Sequence, residues 1–217
     1  MKTSLAPPNK PFIFDNAFSM VVDNTFNYAL APVHSSNAIN EVFSTFKATI
    51  FKDLPQDDGR TSDQNIASVS GYYFNSSVIK YRSHLPSLFD ACDAHSQELH
   101  EFHHAVFEGD DINAELSNDQ ESNSILPISQ VLYLHTMNVA EEFRHQGLGI
   151  ALLNALTEGV FLPNNTVIVL KASAFFNELG DPLSAKATGS KKLAAYFRKA
   201  GFKSMRRTTS YMYKVIR

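Results

Sequence analysis

The chain has 217 residues, 44% of them hydrophobic and 12% aromatic, which is enough for one domain with a full core and short for two. The single cysteine, Cys92, excludes an intrachain disulfide and suits a reducing cytoplasm. The net charge of −3 conceals a division: from Lys171 to Arg217 there are 11 Lys/Arg against 2 acids, a net of +9, so the first 170 residues carry −12. A basic third can meet nucleic acid, the phosphates of a cofactor, or the acidic part of the same chain. Nucleic acid ranks last, because long-range attraction of an acidic molecule to a polyanion is weak. The opening MKTSLAPPNKPFIF is broken by prolines and has no signal-peptide pattern, and no stretch approaches a membrane span. The expectation is a cytoplasmic protein.

In chain order, FSMVVDN (18–24), EVFSTFKATIF (41–51) and NIASVSGYYF (65–74) are β-branched and aromatic runs between turn-forming clusters, and read as strands. KDLPQDDGRTSDQ (52–64) reads as a loop or hairpin tip. From Leu85 to Phe107 the spacing becomes helical, with Leu88, Cys92, His95, Leu99, Phe102 and Val106 on one stripe. Residues 109–124 have little apolar content and read as an exposed, mobile loop. SQVLYLHTMNV (129–139) is a strand, AEEFRHQGLG a turn, and ALLNALTEGVF a helix; TVIVLKASA (166–174) is a further strand. An irregular stretch leads to the helix SKKLAAYFRKAGF (190–202), which Gly201 ends as a C-cap glycine would. The segment after it returns as strand.

Two motifs carry chemistry. Arg144-His145-Gln146-Gly147-Leu148-Gly149 lies between a strand and an amphipathic helix. Glycines there let the chain curl and a ligand approach, the helix start offers N–H groups to a phosphate, and Arg144 adds a fork of donors. It is neither the Rossmann nor the Walker sequence; the plain alternative is a helix start after a tight turn. His100-Glu101-Phe102-His103-His104 satisfies HExxH, the zinc-peptidase pattern. Against that reading, His100 and His104 project away from the apolar stripe, and no second His motif follows. The expectation is no metal.

RxxGxG after a strand, followed by a second strand, a helix ending in GF and a last strand YMYKVI, resembles the GNAT superfamily of acyl-CoA N-acyltransferases over residues 129–217. The resemblance implies an α/β fold with a mixed, mostly antiparallel central sheet flanked by helices, here with an extra long helix before the fourth strand. It implies a single domain over 1–217, with 85–128 as an insertion. It also implies acetyl-CoA as co-substrate: Met137 and Val139 pairing with the pantetheine arm, and the amides of Arg144, His145, Gln146, Gly147, Leu148, Gly149 and Ile150 taking the pyrophosphate. Ser190 and Phe197 would line the cofactor site. The acceptor would be a primary amine, on a small molecule or a peptide, and a homodimer is compatible with the pattern.

Transfer to an amine requires a group that takes its proton. Strand alternation puts Val131, Tyr133, His135, Met137 and Val139 on one face. Imidazole titrates near neutral pH, and the arylalkylamine N-acetyltransferase branch has histidine at the position matching His135, so His135 is the candidate base. A buried structural histidine is the alternative. The family's proton donor is a tyrosine four residues before the Gly of GF, but that position here is Phe197. Tyr196 stands about 100° around the helix, in line with Lys192 and Lys199, and reads as a boundary residue. Tyr133, Tyr211, Tyr213 and Ser190 are substitute donors. A thiolate with a pKa near ~8.5 leaves tolerably without one. A module that binds acyl-CoA without transferring is the remaining alternative.

Overall fold

The computed structural model describes residues 12–14, 18–23, 42–55, 61–76, 86–117, 128–158, 162, 165–172, 183–208 and 210–216. Strands β1 (Phe12–Phe14), β2 (Phe18–Asp23), β3 (Phe43–Pro55) and β4 (Thr61–Asn75) come first, then helices α1 (Leu88–His95) and α2 (Gln97–Val106). A small hairpin, β5 (Phe107–Glu108) and β6 (Asp111–Ile112), and a short helix α3 (Ala114–Ser117) follow. The chain continues as β7 (Gln130–Val139), α4 (Leu148–Glu158), β8 (Thr166–Lys171), α5 (Leu183–Lys199), β9 (Lys203–Ser204) and β10 (Tyr211–Val215). One eight-stranded sheet runs in the order β1-β2-β3-β4-β7-β8-β10-β9. It is antiparallel except between β7 and β8, as expected of a mixed, mostly antiparallel α/β sheet. No helix among the described residues is long and apolar enough to cross a membrane.

Each face of the sheet buries its own core. Leu132 and Leu134 of β7 pack with Leu152, Leu153 and Leu156 of α4 and with Phe197 at the end of α5. On the other face Val131 and Tyr133 pack with Leu88 and Cys92 of α1 and with Leu99, Phe102 and Val106 of α2.

The expected long helix over 85–107 is two helices. Ser96 is extended (φ −168°, ψ 153°), its N–H ends α1 on the Cys92 carbonyl, and its hydroxyl accepts from Leu99 N to cap α2. A serine that offers both bonds outcompetes a continuous helix. His95, the last residue of α1, is exposed rather than buried on the stripe assigned to it, with its ring against those of Phe43 and Tyr72. The expected mobile loop is ordered over 109–117, where Ile112 and Leu116 are buried. Asn113, also buried, donates to the Ala105 carbonyl and accepts from Leu116 N; residues 118–124 of that loop lie outside the described residues. The hairpin β3–β4 is longer than expected, leaving 56–60 outside the description, and α5 starts before Gly189. Gly201 is at φ 85°, the left-handed C-cap expected of it.

One irregularity reorganises β7. Ser70 of β4 pairs with Thr136 but Gly71 pairs with Leu134, so His135 is an extra residue, a β-bulge. The bulge corrects the expected alternation. Tyr133 and His135 face α2, whereas Met137 and Val139 pack on the opposite core with Leu132 and Leu134. Gly71 makes this room: a Cβ there would lie 1.8 Å from the Tyr133 carbonyl oxygen and 3.1 Å from His135 N. Gly71→Ala is therefore expected to destabilise the fold by about 3 kcal/mol, the upper range for overpacking, measured as a lower urea midpoint. A midpoint equal to that of the native chain would contradict the bulge.

Candidate active site

The site is built around the far end of β7. Its parallel pairing with β8 runs from Gln130↔Thr166 to Leu134↔Leu170 and then stops, so among the described residues Thr136–Val139 has a strand partner only in β4. Ala140 N donates to the Ile66 carbonyl on the β4 side. Ladder alternation then turns the backbone groups of Met137 and Val139 to the open side. The Val139 carbonyl there accepts from Arg144 Nε at 3.1 Å, which folds the turn back on the strand.

The bulge delivers His135 toward α2. Its Nδ1 lies 3.0 Å from Glu98 Oε1, and the same oxygen accepts a bond from the Tyr133 hydroxyl. Tyr133 is fully buried and stacked on Phe102 with ring centroids 4.2 Å apart. Burial, and then its bond to Glu98, push its hydroxyl well above the usual tyrosine range. Tyr133 thus holds its proton and does not reach a ligand. The other substitutes, Tyr211 and Tyr213, are buried in the same core. The His135 side chain is one-third exposed, beside Tyr72 at 5.9 Å. Tyr72 in turn meets His95 at 5.3 Å and Phe43 at 5.5 Å, edge to face. Burial, with Glu98 adding to it, raises the Tyr72 hydroxyl.

At the other end of the open edge, Glu141–Phe143 forms a single 3₁₀ turn and Arg144–Gly147 is exposed. His145 and Gly147 have φ of 64° and 80°; glycine adopts this at no steric cost, while His145 bears some strain. Nothing lies within 4 Å of a Cβ built at Gly147. Leu148 and Gly149 open α4, where first-turn N–H groups lack an intrahelical acceptor. The Ile150 amide, expected in the same cradle, instead bonds the Tyr196 hydroxyl.

Tyr196 is half-buried, at the boundary the sequence indicates, but its hydroxyl is turned inward. A Cβ at Gly149 would lie 2.4 Å from it and 3.4 Å from Met137 Cε, so any side chain at Gly149 must displace the tyrosine hydroxyl. Burial raises the Tyr196 hydroxyl and the Ile150 amide pulls the other way. Phe197 is buried in the core, consistent with its apolar face, and Ser190 is half-exposed earlier on α5.

The HExxH segment is arranged otherwise than in a metal site. Glu101 bonds Lys171 Nζ at 2.8 Å, which holds its carboxyl below the usual range. His100 Nδ1 lies 2.8 Å from Asp93, and His103 is buried with its Nε2 on the Gly109 carbonyl. Among the described residues no three His, Cys, Asp or Glu side chains are grouped to hold a metal ion. Cys92 is buried and its thiol is pushed up to about 12, which removes it as a nucleophile.

Sequence reasoning missed Glu98, which is 35 residues from Tyr133 and carries no spacing signal. The bulge had one, because an isolated glycine inside a strand pattern, Gly71, marks a bulge or a close approach. Gly149→Ala is expected to lower stability by about 1 kcal/mol, the low end for overpacking, because the obstructing atom is the end of a side chain that can swing away. Adding Tyr196→Phe should recover much of that loss, because the remaining ring carbon stands 3.5 Å from the new Cβ. Strict additivity of the two substitutions in urea unfolding would contradict the packing.

No protein-family model matches the chain, and no curated protein matches it. Among solved structures the chain is similar to one described as a KacTA–DNA complex, with 9% identity and a TM-score of 0.33 over 79% of this chain and 68% of that one. It is similar with the same values to a tyrosine-to-phenylalanine mutant of the AtaT toxin bound to the C-terminus of the antitoxin AtaR and acetyl-CoA. It is also similar to AtaTR bound with acetyl-CoA, at 9% identity and a TM-score of 0.36 over 91% of this chain and 94% of that one. Similarities this weak assign neither activity nor residues, and the functional reading rests on β7, its bulge and the turn that follows.

Proposed function

We propose that the chain is a GNAT-type N-acyltransferase that moves an acetyl or related acyl group from coenzyme A to a primary amine. The observation that carries this reading is the continuity of three features along one strand: the bulge at His135, the open edge from Thr136 to Val139, and the glycine turn into α4. An open edge can take an extended, amide-bearing chain as an added strand, and the pantetheine arm is such a chain. The exposed Arg144–Gly147 turn and the first amides of α4 suit a diphosphate. The donor set therefore fits coenzyme A, with Met137 and Val139 along the arm and Gly147, Leu148 and Gly149 at the phosphates. The bound thioester supplies an activated carbonyl and a thiolate that leaves. His135 takes the amine's proton, directly or through water. The acceptor reaches it from the α1–α2 side, past Tyr72 and His95.

Tyr196 bonds an amide beside the turn, and we assign its hydroxyl to closing that end of the site. Tyr196→Phe should cost less than about tenfold in turnover, below the ~10²-fold that a general acid is worth. A larger loss would make Tyr196 the donor.

The experiment is a thermal shift with acetyl-CoA followed by thiol release across an amine panel. Acetyl-CoA should raise the melting temperature. Gly147→Val, which cannot adopt the left-handed turn, should abolish that rise. His135→Ala should lower turnover about 10²-fold with acetyl-CoA affinity retained. Binding without turnover on any amine would mean an acyl-CoA-binding module, and absence of binding would contradict both readings.

A further inference from the structure

We infer that Glu98, delivered by the α1–α2 insertion, is a positioning residue that fixes the tautomer of His135. The inference rests on the reading of His135 as base and adds a role for the insertion. Glu98 stands in the first turn of α2, whose start is set by the Ser96 cap. Its Oε1 is 3.0 Å from His135 Nδ1 and accepts the Tyr133 hydroxyl. Tyr133 is in turn held by its stack on Phe102 and by complete burial. One carboxylate oxygen is thus fixed from beneath by a buried phenol and presented to one nitrogen of the imidazole. The side chain of Glu98 is 29% exposed and that of His135 33%, so both are partly withdrawn from water while the ring stays accessible.

A carboxylate beside Nδ1 favours the neutral form protonated at Nδ1, which leaves the lone pair on Nε2. That is the form a base needs if Nε2 meets the amine. The amine's proton passes to Nε2, and the doubly protonated ring then faces a negative charge. The ring is turned from ideal hydrogen-bond alignment with Glu98. The contact is therefore a close approach, which rotation about the broad χ2 torsion converts into a hydrogen bond. The bulge is what makes the contact geometrically available, because it keeps His135 on the α2 side while the rest of the strand turns over.

The test is Glu98→Gln, which preserves shape and removes the charge, in the full chain with its fold checked by circular dichroism. Imidazole ¹⁵N spectra at a pH where the rings are neutral report the tautomer, with the His135 signal identified by its loss in His135→Ala. The native chain should show His135 protonated at Nδ1, and Glu98→Gln should move it toward the Nε2-protonated form. In turnover, Glu98→Gln should lower kcat about 10²-fold, the low end of what a positioned base is worth, with KM for acetyl-CoA within about twofold. The double variant with His135→Ala should be no slower than His135→Ala alone. An unchanged tautomer in Glu98→Gln, or unchanged kcat in an active enzyme, would overturn the inference and leave the acyltransferase reading standing. If no amine is acylated, the spectra still decide whether Glu98 sets the ring. Should Glu98→Gln fail to fold, Tyr133→Phe, which keeps the stack and frees the carboxylate, must weaken the Nδ1 preference for the inference to survive.

Discussion

One residue too many in β7, accommodated because Gly71 lacks a Cβ, turns the strand's side chains over between His135 and Met137. Up to Tyr133 the strand behaves as the buried centre of a two-faced core. Past the bulge the same strand loses β8 as a neighbour and sends Met137 to α4 and α5. His135 stays on the side of α1 and α2. Without the extra residue His135 and Met137 would share a face, and the base and the cofactor-arm contact we propose could not lie on opposite faces of one strand. A bulge beside a site is a common way to re-aim a side chain without disturbing the rest of a ladder.

Part of the division of charge along the chain is answered within the chain. Lys171 of β8 meets Glu101 of α2, Arg207 meets Glu108 of the small hairpin, and the Arg206 amide bonds Glu115. Acidic positions of α2, the small hairpin and α3 therefore rest on positions of the last third. Exposed pairs such as these contribute little individually. Helices α1 and α2 are held chiefly by Leu88, Leu99 and Phe102 in the core. That placement brings Glu98 to within 3.0 Å of His135.

Strands β2, β3, β4, β7, β8 and β10, the turn with Gly147 at positive φ, the buried Phe197 and the capping Gly201 were legible, because each rests on local pattern: alternation, helical spacing, or a backbone conformation that glycine serves. What escaped was set by competition or by distance. Ser96 divides a helix whose stripe looked continuous, because one side chain offers a better end than the helix offers a middle. Asn113 and Leu116 order a segment whose composition suggested a loop. Glu98 reaches His135 only through the packing of α2 on the sheet. The face of Met137 and Val139 was misread for a different reason: strict alternation was assumed across Gly71, the residue that signals its interruption. Tyr196 sits at the expected boundary, yet its hydroxyl is aimed at the Ile150 amide by the close approach that Gly149 permits.

The central claim is that the open edge of β7 and the turn after it hold coenzyme A. Amide hydrogen exchange, resolved by residue with and without acetyl-CoA, tests this most directly. The expected result is new protection at Met137 and Val139 and at Gly147–Gly149, with Val131–Leu134, already paired on both sides, unchanged. Protection spread evenly over the sheet, or confined to α1 and α2 with Met137–Gly149 unaffected, would contradict it.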